Sequence, residues 1–230
     1  MENMKLKEFS GESLKYIVSE PDEYIEGNIY PIVILLHGFG ASMRDLIGMV
    51  SYLNCQPCIY IFPNAPIDLK VSYSFDGYAW INPPDQPTDE GLKLLSNSLD
   101  ILIDEIIEKY NVKENHVVIG GFSQGGMLSY WYGLQHPQKF KGIICLSGKL
   151  IFEDKFFQNL KHKITDQRIY IEHGTQDNII SIFDARKARD LLRKNGFENL
   201  EYYESEIAHS ISDSTYPRLS RWLNSIFASK

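Results

Sequence analysis

Short runs of consecutive apolar residues alternate along this chain with stretches in which apolar residues recur every three or four positions. A short continuous apolar run describes a strand buried on both faces, whereas the wider spacing describes a helix with one buried stripe. The runs predict core strands at 32–36, 58–62, 116–120, 142–146, 168–172 and 199–204, and a further run at 14–18 predicts an antiparallel edge. The wider spacing predicts helices at 43–53, 89–110, 124–136, 182–195 and 215–228. In the second of these, Leu92, Leu95, Leu99, Leu102, Ile103 and Ile106 share a face, with Glu90, Lys93, Asp100, Asp104 and Glu108 mostly off it. Strands alternating with helices imply a mostly parallel central sheet with helices on both faces.

The junction between the third core strand and its helix reads Gly121-Phe122-Ser123-Gln124-Gly125. A serine lifted clear of a sheet at such a turn needs a strained backbone, and flanking glycines remove side chains that would collide across it. Ser123 is therefore a candidate nucleophile. An acid and then a base should follow in chain order. Asp177, in His173-Gly174-Thr175-Gln176-Asp177, follows one apolar run, and His209, in Ala208-His209-Ser210, follows the next. Loops at the carboxyl ends of parallel strands share one edge of the sheet, so the three can converge. Asp154 follows the strand ending near Ser147-Gly148 on that same edge and is the rival acid. His37 and His173 each precede a glycine at a strand end, but neither comes after both serine and acid; they read as residues that stabilise turns.

An acyl-transfer site also needs fixed N–H donors for the tetrahedral oxyanion. The strand Ile32–Leu36 runs into His37-Gly38-Phe39-Gly40, whose glycines let the backbone approach a substrate. The N–H groups of Phe39 and of Gln124, the residue after the nucleophile, are the candidate donors. A tight strand-to-helix turn would use the same glycines.

These blocks, in this order from Pro31 to Phe227, resemble the phospholipase/carboxylesterase family of α/β-hydrolases, which includes acyl-protein thioesterases and small bacterial carboxylesterases. The resemblance implies an α/β-hydrolase fold, a triad of Ser123, Asp177 and His209, and an oxyanion hole from Phe39 and Gln124. It favours Asp177 over Asp154, and it aligns Ala79-Trp80-Ile81 with a substrate-lining loop, making Trp80 a candidate substrate-binding residue. The chain departs from the family at Asn178-Ile179-Ile180-Ser181, where members usually have prolines, at Asn82, where aspartate is common, and at Ala208, where glycine is usual.

Trp80 belongs to a long connection, 63–88, broken by Pro63, Pro66, Pro83, Pro84 and Pro87 and decorated by Tyr73, Phe75 and Tyr78. These aromatics either cover the sheet or wall an acyl-binding site. No insertion is large enough for a cap domain, which implies an open, shallow site.

With 230 residues, 43% of them hydrophobic, the chain fits a single α/β domain spanning 1–230. A net charge of −7 argues against nucleic acid or anionic membranes as partners, since both require clustered Lys and Arg. The amino-terminal residues have no apolar core for export and no run is long enough to span a bilayer, so the expected compartment is the cytoplasm. Cys55 and Cys58 form a C-x-x-C without a second ligand pair nearby and read, like Cys145, as packing residues. The expectation is a serine hydrolase of small acyl esters or thioesters, with no metal or organic cofactor and with water completing the reaction. Acyl-protein thioesterase or lysophospholipase activity on longer acyl groups is the nearest alternative, and a non-catalytic ligand-binding hydrolase the more distant one.

Overall fold

The computed structural model describes residues 5–228 apart from 54, 56, 73–74, 84–85, 113–115, 152–153 and 161–166. Tyr73 and Pro84, and the side chains of Phe75 and Asp154, lie outside what is described. Ten strands are present among the described residues: β1 (Lys5–Ser10), β2 (Lys15–Glu20), β3 (Ile32–Leu36), β4 (Ile59–Pro63), β5 (Ile67–Ser72), β6 (Phe75–Ala79), β7 (Val117–Phe122), β8 (Gly142–Leu146), β9 (Arg168–Gly174) and β10 (Leu200–Ser205). The helices are α1 (Asp89–Tyr110), α2 (Gln124–Gln135), α3 (Asp154–Asn159), α4 (Ile182–Lys194) and α5 (Thr215–Ala228).

Eight strands form one sheet in the order β1-β2-β4-β3-β7-β8-β9-β10. Pairing is parallel from β4 through β10 and antiparallel where β1 meets β2 and β2 meets β4. The side-chain period of two divides β3 between two cores: Ile32, Ile34 and Leu36 face one, and Val33 and Leu35 the other. Helices α1, α2 and α4 contribute to the first core, and α5 to the second. The expected parallel sheet with helices on both faces is therefore the observed architecture.

Helix α1 forms where the apolar spacing places it. Thr88 caps it by accepting a hydrogen bond from the Gly91 N–H at 3.0 Å, Asp89 and Glu90 occupy the positive end, and Asn111 closes it in the left-handed region. Its buried stripe, Leu92 to Tyr110, contributes about 1.5–3 kcal/mol for each large apolar side chain removed from water.

Three expectations need correction. The edge strand is β1, not the 14–18 run, which became the buried β2; β1 alternates too weakly in apolar character to be legible. The helix expected at 43–53 is a 3₁₀ turn at Ile47–Tyr52 with no side-chain cap. The connection 63–88 carries a two-stranded hairpin, β5–β6.

Candidate active site

Ser123 lies between β7 and α2 with φ at 55°, a left-handed backbone that costs a residue bearing a Cβ about 1–3 kcal/mol and persists only where its surroundings dictate it. Crowding dictates it here. A Cβ on Gly121 would lie 2.5 Å from the Leu36 carbonyl oxygen, and one on Gly125 only 2.0 Å from the same atom. The end of β3 and the first turn of α2 thus occupy the space that side chains would need. The Ser123 N–H donates to the Leu146 carbonyl at 2.8 Å and ties the turn to β8.

The loops carrying Asp177 and His209 are laced to each other by backbone. A Cβ on Gly174 would fall 2.3 Å from the Ile207 carbonyl oxygen, so this glycine permits the approach. The Thr175 N–H donates to the Ser205 carbonyl at 2.8 Å, and the Gln176 N–H to the Ile207 carbonyl at 3.0 Å. His209 then stands with Nδ1 2.7 Å from Asp177 Oδ2 and Nε2 2.9 Å from Ser123 Oγ. When Nδ1–H donates to the carboxylate, Nε2 is left as an acceptor facing the serine hydroxyl. The Phe122 ring packs against the imidazole with centroids 4.8 Å apart.

The Asp177 side chain is wholly buried. Its Oδ1 accepts the Ile179 and Ile180 N–H groups, each at 2.9 Å, while Oδ2 faces His209 and also lies 3.2 Å from His173 Nε2. Burial pushes the carboxyl upward, but the His209 hydrogen bond and the two N–H donors outweigh it and hold Asp177 below the ordinary carboxylate range. In the segment that departs from the family pattern, Ser181 caps α4, its Oγ accepting from the Phe183 N–H at 3.3 Å.

The two histidines at strand ends, His37 and His173, hold turns. His37 Nδ1 donates to the Gly38 carbonyl at 2.7 Å and its Nε2 accepts from the Ala65 N–H at 3.1 Å; burial pushes its pKa down to about 4. His173 Nε2 donates to the Ile180 carbonyl at 2.8 Å, and its 3.2 Å contact makes it, with His209, a second imidazole beside the Asp177 carboxylate.

Gln124 is the first residue of α2, and its N–H is one of the donors that a helix cannot pair internally. The helix amino terminus also favours negative charge. The Gln124 side chain is buried and points away from this role, toward the loop after β6. There Oε1 accepts from the Trp80 N–H at 2.8 Å, and Nε2 donates to the Ile81 carbonyl at 2.8 Å. Phe39, with an exposed ring, sits in a loop pinned to β6 by hydrogen bonds from Gly40 N–H to the Tyr78 carbonyl and from Tyr78 N–H to the Ala41 carbonyl. Residues 78–81 therefore hold both candidate donor loops. The Trp80 indole is buried, donates to the His37 carbonyl at 2.9 Å, and borders a cavity of about 260 Å³ shared with Pro66, Ile67, Ile81, Leu92 and Leu95.

Glu172 escaped the sequence reading. It is buried one residue before His173 and accepts hydrogen bonds from Tyr170 Oη at 2.5 Å, Ser205 Oγ at 2.9 Å and Arg218 at 3.0 Å, joining β9, β10 and α5 behind the loops that carry Asp177 and His209. A carboxylate closing an otherwise apolar strand run was the available signal, since such groups are rarely buried unpaired. Among the described residues, no three His, Cys, Asp or Glu side chains group as a metal site, and no helix is long and apolar enough to cross a membrane.

The sheet order, the positive-φ serine at the strand-to-helix turn and the loops gathered at the strand ends define the α/β-hydrolase class. The model of the phospholipase/carboxylesterase family matches residues 25–226. The chain belongs to that family and is an ester hydrolase by class. It is 30% identical over 196 residues to the acyl-protein thioesterase 1 of Debaryomyces hansenii, covering 79% of this chain and 84% of that one. With the acyl-protein thioesterase 1 of Candida albicans it shares 28% over 222 residues, covering 84% and 91%. Its fold is similar to that of the Bacillus cereus carboxylesterase, at a TM-score of 0.75 and 16% identity over 94% of this chain and 96% of that one.

Proposed function

We propose that Ser123, His209 and Asp177 hydrolyse a carboxylic ester or thioester through an acyl-enzyme. The observation that carries this reading is the continuous relay of 2.9 Å and 2.7 Å from Ser123 Oγ through His209 to Asp177. Ser123 Oγ attacks the acyl carbon as His209 Nε2 takes its proton, and the N–H groups of Phe39 and Gln124 receive the oxyanion. The protonated imidazole, stabilised by Asp177, returns the proton to the departing alcohol or thiol. Water then repeats the sequence on the acyl-enzyme, releasing the carboxylic acid and restoring Ser123. Only this chain's own groups are used, so no metal or organic cofactor enters.

The substrate is a small acyl ester, handled by a single domain in the cytoplasm. A second reading, thioesters of longer acyl groups, is favoured by the mostly apolar cavity that Trp80 borders and by the thioesterase relatives. Two measurements test these readings. A fluorophosphonate probe should label the protein once and leave Ser123→Ala unlabelled; equal labelling of both would remove Ser123 as nucleophile. A kcat/KM series over p-nitrophenyl esters of increasing chain length then separates the substrates, since a maximum at short chains supports the first reading and a maximum at long chains the second.

A further inference from the structure

Cys55 and Cys58 lie where the chain passes from the 3₁₀ turn into β4, packed on the same core as α5. Their Sγ atoms are 4.0 Å apart, with no disulfide between them. Closing to the disulfide length of about 2.05 Å asks for a movement of about 2 Å, and Cys55 lies outside any helix or strand. The two thiols differ in access. Cys58 is buried and Cys55 is half-buried, so a small oxidant meets Cys55 first.

The surroundings divide the chemistry in the same sense. Tyr60 Oη lies 2.8 Å from Cys55 Sγ, and burial pushes the phenol pKa up, so Tyr60 keeps its proton and can donate it to a Cys55 thiolate. The adjacent Cys58 thiol, together with Tyr60, holds Cys55 below the ordinary thiol range against the effect of burial. The same adjacency, reinforced by burial, pushes Cys58 up. Cys145, deep in β8, is pushed up to about 12 by burial and serves as an internal control. No third ligand joins the pair among the described residues, which removes a metal reading.

We propose that Cys55 and Cys58 form a redox site that closes to a disulfide under hydrogen peroxide and reopens under a dithiol. The Cys55 thiolate attacks one peroxide oxygen, the O–O bond breaks, and hydroxide leaves to take up a proton as water. Cys58 sulfur then attacks the Cys55 sulfenic sulfur; the S–S bond forms, the S–O bond breaks, and the oxygen departs as water with the Cys58 proton. The two sulfurs give up two electrons, and the peroxide accepts them. Cys55 is the attacking thiol and Cys58 the resolving one.

The test treats the folded, reduced protein with hydrogen peroxide, quenches with an alkylating agent and maps the thiols by mass spectrometry. The expected product is a Cys55–Cys58 linked peptide that dithiothreitol reverses, with Cys145 still free on unfolding. Cys58→Ser should accumulate a sulfenic acid at Cys55 that dimedone captures, whereas Cys55→Ser should give no adduct at Cys58. Alkylation of Cys55 should show a pH midpoint below that of an ordinary thiol and move upward in Tyr60→Phe. The site is overturned if wild-type Cys55 and Cys58 both remain alkylatable at a peroxide dose that oxidises free glutathione in the same tube. Dimedone capture at Cys58 in Cys55→Ser would overturn the assignment of attacking and resolving roles. Should either variant fail to fold, the wild-type map decides alone.

Discussion

The turn around Ser123 and the arm formed by the end of β6 and the loop after it, residues 78–81, meet at the same site, yet they are held by different physics. The turn is fixed by backbone crowding, since Gly121 and Gly125 leave no room for a Cβ beside the Leu36 carbonyl. The arm is held by hydrogen bonds reaching in from elsewhere: Gln124 grips Trp80 and Ile81, the Gly40–Ala41 backbone pairs with Tyr78, and the Trp80 indole reaches the His37 carbonyl. Crowding tolerates no substitution and so leaves a motif in the chain. Long-range hydrogen bonds can be satisfied by many sequences and leave almost none. A site can thus combine a rigid reacting centre with a wall that is freer to vary.

The sharpest division between the two regions is expected at the nucleophile. Ser123→Ala should lose about six orders of magnitude in kcat while keeping the wild-type melting temperature, because the turn is shaped by its glycines and not by the serine hydroxyl. A kcat reduced by less than tenfold would break the assignment. Next in size, Asp177→Asn should cost about 10⁴ in kcat by favouring the wrong imidazole tautomer, and Asp154→Asn should cost little. A larger loss in Asp154→Asn would transfer the role of acid.

Gly125→Ala tests the crowding itself. With the added methyl 2.0 Å from a backbone oxygen, the protein should lose more than about 4 kcal/mol of stability, read from chemical denaturation. An alanine variant as stable as the wild type would show that the turn yields and that its glycines are not compulsory. The arm should respond more mildly. Trp80→Ala should alter the ranking of ester chain lengths by about 1–3 kcal/mol while the shortest ester is still turned over. Unchanged selectivity in a stable Trp80→Ala protein would leave this tryptophan as cover for the sheet.

The smallest effect concerns pH. Asp177 has its folded pKa depressed, so its charged form stabilises the fold fully above the unfolded value of about 3.9. That contribution is lost as pH falls through the folded pKa. The stability difference between wild type and Asp177→Asn should therefore be greatest near neutrality and shrink in acid. A difference that stayed constant down to about pH 3 would mean that Asp177 is held by contacts indifferent to its charge.

The fold and the meeting of Ser123, His209 and Asp177 were largely legible in the chain, and the reason is local. Helix α1 was readable to its ends because its apolar stripe, the Thr88 cap and its terminal charges agree with one another. Buried parallel strands read as continuous apolar runs because both of their faces are covered. The convergence of Ser123, Asp177 and His209 was readable because parallel strands deliver their following loops to one edge, and the glycines at 121, 125 and 174 mark where backbones touch. What only the tertiary structure decided depends on partners distant in the chain. The β5–β6 hairpin, the exchange of edge position between β1 and β2, the burial of Glu172 among Tyr170, Ser205 and Arg218, the contact of His173 with Asp177, and the use of the Gln124 side chain as a clamp carry no local periodicity. Each arises because a buried polar group must find a partner wherever the fold supplies one, and that partner's address is not written beside it.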